Sequence, residues 1–236
     1  IIPNGGTAGD VLTGLNGITI ASGQTATFAG EQLTGLTLAV TGVASGAAET
    51  LAITTAAAGG TTTLANVTLT NAVTAITGTA NADTITGTAG VDRFIPGNGI
   101  DPLTLGGGSD TVAYGTTNNA ANANNITAFT AGSGGDIIEI DATAYGYAAG
   151  TPTVVAIGAV AAGTGAAATA RNILVDTAAN INADKSANYG GGALAYDTTN
   201  NRIIFDADGN FTAGSVVIGT VGTLTGTLDA NNFTIV

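Results

Sequence analysis

Four aspartates, Asp83, Asp92, Asp101 and Asp110, stand nine residues apart in a chain of 236. Each closes a turn of small residues. The frames read GTANADTIT (78–86), GTAGVDRFI (87–95), PGNGIDPLT (96–104) and LGGGSDTVA (105–113). Two positions after each Asp comes one apolar residue: Ile85, Phe94, Leu103 and Val112. Carboxylates at the ends of glycine-rich turns lie beside backbone carbonyls, and both are hard oxygen donors. Calcium (Ca2+) takes about six to eight such oxygens at about 2.3–2.6 Å. Asn81, Gly90, Asn98, Gly99 and Gly108 belong to the same turns and are the further candidate donors. A plainer chemistry competes, because a turn Asp also accepts hydrogen bonds from its own backbone. Four aspartates in strict register favour the metal.

The spacing also says which elements must hold these groups. A repeat of nine suits a six-residue turn followed by a three-residue strand. Two repeats then bring the chain round once, with successive apolar residues pointing inward from opposite sides. That arrangement stacks Asp83 over Asp101, and Asp92 over Asp110. Glycine serves the turns because their backbone must enter the left-handed region. The block resembles the glycine-aspartate nonapeptide, G-G-x-G-x-D-x-U-x, of RTX (hemolysin-type) calcium-binding proteins. The resemblance implies a short parallel β-roll and bound calcium. It departs from the pattern in two places. Glycine is missing from the first position of the last two frames, and Pro102 follows Asp101.

Composition bounds the function. Sixteen acidic residues oppose four basic ones, Arg93, Arg171, Lys185 and Arg202, for a net charge of −12. Nucleic acid and anionic membrane surfaces need a basic patch, so both are excluded as partners. Asp136, Glu139 and Asp141 extend the acidic stretch that begins at Asp83, and only Arg93 stands within it. Such a cluster calls for a cation. Cys and His are both absent. Ser-His-Asp and Cys-His catalysis, zinc binding through H-E-x-x-H and haem ligation by His are excluded within this chain. Glu31, Glu49 and Glu139 stand in no recognisable active-site motif, and no phosphate-binding glycine loop occurs. An enzyme is not expected. Absence of Cys is consistent with an extracellular protein, and Ile1 with no Met anywhere suggests a processed chain.

Three regions are expected. Residues 1–77 read as alternating strands with Thr on one face, as in ITI (18–20), TATF (25–28), LTLAV (36–40), TLAIT (50–54) and NVTLT (66–70). They suggest a β-sandwich or solenoid-like strands. A flat threonine array of the ice-binding kind is a lesser alternative. Residues 78–141 form the calcium-binding block, with Asp136 and Glu139 as candidates for a terminal site after the glycine turn. A plain hairpin turn is an equal alternative there. Residues 142–236 read as a β cap, with a hairpin at 194–206. Asp206 and Asp208 follow as candidates for a lesser calcium site. An EF-hand is refused there, since Val217 occupies the position that would need Glu. The stretch LAYDTTNNRIIFDADGNFTAGSVVIGTV (194–221) is similar to the C-terminal part of RTX and bacterial S-layer proteins. That similarity implies an uncleaved type I secretion signal at the end. The fold class expected from the sequence is therefore all-β.

Two functions follow as expectations. The first is a secreted structural protomer of a calcium-dependent S-layer or filament, self-associating, with cell-surface polysaccharide as a further candidate partner. The second is a calcium-binding secretion or cap module of a larger adhesin or enzyme. Abundant Thr, Ala and Gly favour the first, because short side chains lose little entropy when ordered at an interface.

Overall fold

Strands that alternate apolar and polar residues need one covered face, and here other strands lie alongside them in parallel. The computed structural model describes residues 12, 14–43, 49–56, 58–115, 123–145, 153–155, 172–183, 193–206, 211, 214–228 and 230–236. The chain divides into two units, 1–112 and 113–236.

Among its described residues the first unit contains three ladders, all parallel. One orders β1 (Gly17–Ile20), β3 (Leu38–Gly42) and β6 (Val67–Thr70). The second runs β2 (Thr25–Ala29), β4 (Glu49–Thr54), β7 (Ala72–Thr77), β9 (Asp92–Ile95) and β11, whose span Thr111–Tyr114 begins in this unit. The third joins β5 (Thr61–Thr63), β8 (Thr84–Thr86) and β10 (Pro102–Thr104). A one-turn helix α1 (Gly30–Leu33) follows β2. Its N-terminus is closed by Gln32, whose Oε1 accepts from the N–H of Ala29 at 2.9 Å. The core is the inward row of these strands: Leu38, Leu51, Ile53, Val67, Ile76, Ile85, Phe94, Leu103 and Val112 are all buried. Ile85 is in register with Leu103, and Phe94 with Val112. The nonapeptide apolar residues thus fill two inward columns on two different ladders.

The second unit holds β12 (Asn124–Thr127), β13 (Phe129–Thr130), β14 (Ile137–Ile140), β15 (Thr153–Val155), β16 (Asn172–Asp176), β17 (Ala193–Asp197), β18 (Arg202–Asp206), β19 (Val216–Val221), β20 (Leu224–Thr225) and β21 (Phe233–Ile235). Helices α2 (Ala142–Tyr145) and α3 (Ala178–Ala183) lie among them. β15, β16 and β17 pair in parallel, while β17, β18 and β19 are antiparallel. Leu174, Ile181, Ala195, Ile204 and Phe211 form one buried cluster there.

The all-β expectation is overturned. The chain is mixed α/β, with three short α-helices and a 3-10 turn at Ala230–Asn232 among the described residues, and predominantly parallel sheets. Among the described residues, the N-terminal strands form no sandwich and the nonapeptide strands no separate β-roll. The strands of the nonapeptide block continue the ladders of β4, β7 and β5. The C-terminal region is likewise no purely β cap, since it carries α2 and α3. The physical reason is that period-two alternation reports which face is covered, not strand direction. Parallel pairs need a crossover. A four-residue helix is too short to show a 3.6 period in sequence.

Candidate functional site

The eighteen-residue offset stacks the turns of the nonapeptide block in two pairs. In the first pair, the N–H of Asp83 donates to Oδ1 of Asp101 at 2.7 Å. In the second, the N–H of Asp92 donates to Oδ1 of Asp110 at 2.8 Å. All four carboxylates are buried.

Donors from the turns surround the upper carboxylate of each pair. Asp83 Oδ1 accepts from the N–H of Gly60 at 2.8 Å. Its Oδ2 accepts from the N–H of Thr79 at 2.7 Å and from Thr79 Oγ1 at 2.9 Å. Asp92 Oδ2 accepts from the N–H of Thr88 at 2.6 Å and from Thr88 Oγ1 at 3.0 Å. Its Oδ1 accepts from Thr74 Oγ1 of the neighbouring strand β7. The aspartates therefore act as turn acceptors, the plainer chemistry named above, in addition to anything else they hold.

The electrostatics are those of clustered acids. Burial pushes the carboxyl of Asp101 up to about 6; the N–H of Asp83 pulls it down and the charge of Asp83 adds to the rise. Burial also raises Asp92, against the hydrogen bonds from Thr74 and Thr88. Both shifts mean that negative charge is held here at a cost.

Carbonyl oxygens come from the same turns, which stack too closely for any side chain. A Cβ added at Gly106 (φ +106) would stand 1.9 Å from the carbonyl oxygen of Thr88. One added at Gly108 would stand 2.3 Å from that of Gly90, and one at Gly99 would stand 2.9 Å from that of Asn81. Carbonyls of the upper turn thus face the glycines of the lower one. Carboxylates and carbonyls together match calcium's preferred donors. Among the described residues, no group of three or more acidic side chains is placed to hold a metal. An ion here would draw on carbonyls for the rest of its shell. Residues Asn81 and Asn98 are exposed. The N–H of Asn98 donates to the carbonyl of Thr79 at 2.9 Å, tying the two turns of the first pair.

The other candidates are placed differently. Asp136 is buried, and its Oδ2 accepts from the N–H of Thr130 at 2.7 Å. Glu139 is half-buried on β14, on the face opposite Ile138 and Ile140. Asp136 precedes β14 and is buried, whereas Glu139 is only half-buried. Asp206 is buried at the end of β18. Asp208 lies outside the described residues.

Three residues escaped the sequence reading. Asn232 is buried and stitches the 130–136 turn: its Oδ1 accepts from the N–H of Gly132, and its Nδ2 donates to the carbonyl of Asp136. Asp197 is buried and ion-paired with Arg202 at 2.7 Å. Burial alone would raise its carboxyl, but donors from Asn200, Arg202 and Thr199 hold it below its ordinary value. Glu49 is the third, a buried acid at the start of β4. It stands in no glycine-aspartate nonapeptide frame, so no period reveals it.

Compared with known proteins, the chain matches no family model and no curated protein. Among the described residues, no helix is long and apolar enough to cross a membrane.

Proposed function

We propose that the chain is a secreted, non-enzymatic structural protomer that self-associates into a surface layer or filament, with calcium ordering its turns. The observation that carries this reading is the pair of buried carboxylate stacks, Asp83 on Asp101 and Asp92 on Asp110. Asp83 and Asp101 with the carbonyls of Thr79 and Asn81 would hold one ion. Asp92 and Asp110 with those of Thr88 and Gly90 would hold another. A bound cation would supply the charge that the clustered acids lack, and would fix one turn against the next.

Self-association is supported by the ladder ends. β1 and β2 are terminal strands of their ladders among the described residues. No Lys, Arg or Pro occurs between Asn4 and Asp92. Natural edges are usually guarded by such residues, and an unguarded edge is a template for a neighbour. Head-to-tail use of an edge gives open arrays rather than closed dimers. Calcium would also offset the −12 charge that opposes packing of protomers.

The experiment is negative-stain microscopy of the purified chain with millimolar calcium and with chelator, beside a calorimetric calcium titration. Calcium-dependent fibres or sheets support the reading. Monodisperse particles that bind calcium select the secretion or cap module instead. No calcium uptake in the millimolar range removes calcium from either.

A further inference from the structure

Gly42 at the end of β3 and Glu49 at the start of β4 repeat a contact of the aspartate turns without their sequence. A Cβ at Gly87 would stand 2.6 Å from Asp92 Oδ2 and 2.4 Å from the carbonyl oxygen of Leu105. A Cβ at Gly42 would stand 2.6 Å from Glu49 Oε2 and 2.1 Å from the carbonyl oxygen of Asn71. In both, a carboxylate oxygen and a carbonyl oxygen of the following turn converge on one glycine. Because both measure to one point, the Glu49 and Asn71 oxygens are within about 5 Å of each other, a span that one cation can bridge.

The two turns differ in how the carboxylate is satisfied. Asp92 is surrounded by donors from Thr74 and Thr88. Glu49 is 1% exposed, and its Oε1 is buried with no hydrogen-bond donor among the described residues. Burying an ionised oxygen without a donor is costly, and a proton or a cation must offset the cost. The Asn71 carbonyl lies beside Oε2, the other oxygen of the same carboxylate, and has no proton to give.

We propose that Glu49 and the carbonyl of Asn71 anchor a further divalent-cation site, at the corner where β3 gives way to β4. It rests on the same hard-cation chemistry as the reading above but on different residues. The site lies at the same end of its ladder as Asp92, because β4, β7 and β9 run parallel. Its occupant would tie the start of β4 to the backbone at Asn71.

The test is ion stoichiometry by equilibrium dialysis with calcium, and by terbium luminescence, for wild type, Glu49→Gln and Asp101→Asn. Glu49→Gln keeps the shape and removes the charge; it should bind one ion fewer and keep the aspartate ions. Glu49→Asp keeps the charge and shortens the reach, and should weaken the same ion. Circular dichroism of each variant in chelator checks the fold. Unchanged stoichiometry and affinity in Glu49→Gln would overturn the site and mark Glu49 as a buried acid that holds no ion. Unchanged binding in Asp101→Asn beside a lost ion in Glu49→Gln would overturn the aspartate-turn reading and leave this one standing.

Discussion

The backbone N–H of Asp83 donates to the side chain of Asp101 at 2.7 Å, across eighteen residues of sequence. One aspartate thus holds the next by its main chain while their carboxylates repel. That balance depends on protonation, on donors and on turn spacing, and each can be changed separately.

Protonation comes first. Asp101 rises from 3.8 to about 6 in the folded chain, mainly through burial. A raised carboxyl takes its proton more readily folded than unfolded. Its contribution to stability is complete below pH about 3.8 and is lost as pH rises through about 6. Asp92, also raised, has the same sign. In chelator, the melting temperature should therefore climb as pH falls from neutral toward about 5. Asp101→Asn should flatten that slope. A wild-type melting temperature that falls over the interval would refute the argument.

Donors come next. Asp83→Ala strands the N–H groups of Gly60 and Thr79. Two stranded donors should cost about 2–4 kcal/mol in urea unfolding without calcium. Asp176→Ala removes a half-exposed carboxylate and should cost under about 1 kcal/mol. Equal losses for the two variants would show that the turn acceptor role is dispensable.

Turn spacing is tested by Gly106→Ala against Gly132→Ala. Both glycines have positive φ, +106 and +97. A Cβ at Gly132 would meet nothing within 4 Å, whereas one at Gly106 would strike the Thr88 carbonyl. Gly132→Ala should cost about 1–2 kcal/mol, the conformational penalty alone. Gly106→Ala should cost about 3 kcal/mol or more, because backbone must move. Thermal melts of both variants decide it.

Arg202→Ala probes the hairpin of the second unit. It removes two bonds to buried Asp197, from Nε at 3.1 Å and Nη2 at 2.7 Å. Arg202 is 36% exposed and Asp197 keeps donors from Thr199 and Asn200, so the loss should destabilise by about 1–2 kcal/mol. Asp197 is held below its ordinary value, so the pair stabilises above pH about 4 and fails as pH falls further. The mutational cost should shrink on acidification, which chemical denaturation at two pH values would measure.

Much of the first unit was legible because its strands alternate cleanly. ITI, TATF and TLAIT mark β1, β2 and β4 to within a residue or two. The nine-residue register likewise stated which aspartates stack. Outside the nonapeptide block strand direction was not legible, since Thr and Val alternate alike in parallel and antiparallel ladders. Neither was α1, whose four residues are held by one glutamine rather than by an apolar stripe. Glu49 hid for another reason: it belongs to no nonapeptide frame, and only space brings it against Gly42 and Asn71. Asn232 lies a hundred residues from the Gly132 it braces, a pairing no local pattern encodes.

Turns in contact through a carbonyl and a glycine leave no slack along the stack, so its length can change only in whole circuits. An eighteen-residue insertion within the nonapeptide block would add one strand to each of two ladders and return every aspartate to its own column. A nine-residue insertion would send all later strands to the opposite ladder and exchange the two carboxylate columns. Growth of such a block by duplication is therefore free in even numbers of repeats and obstructed in odd ones.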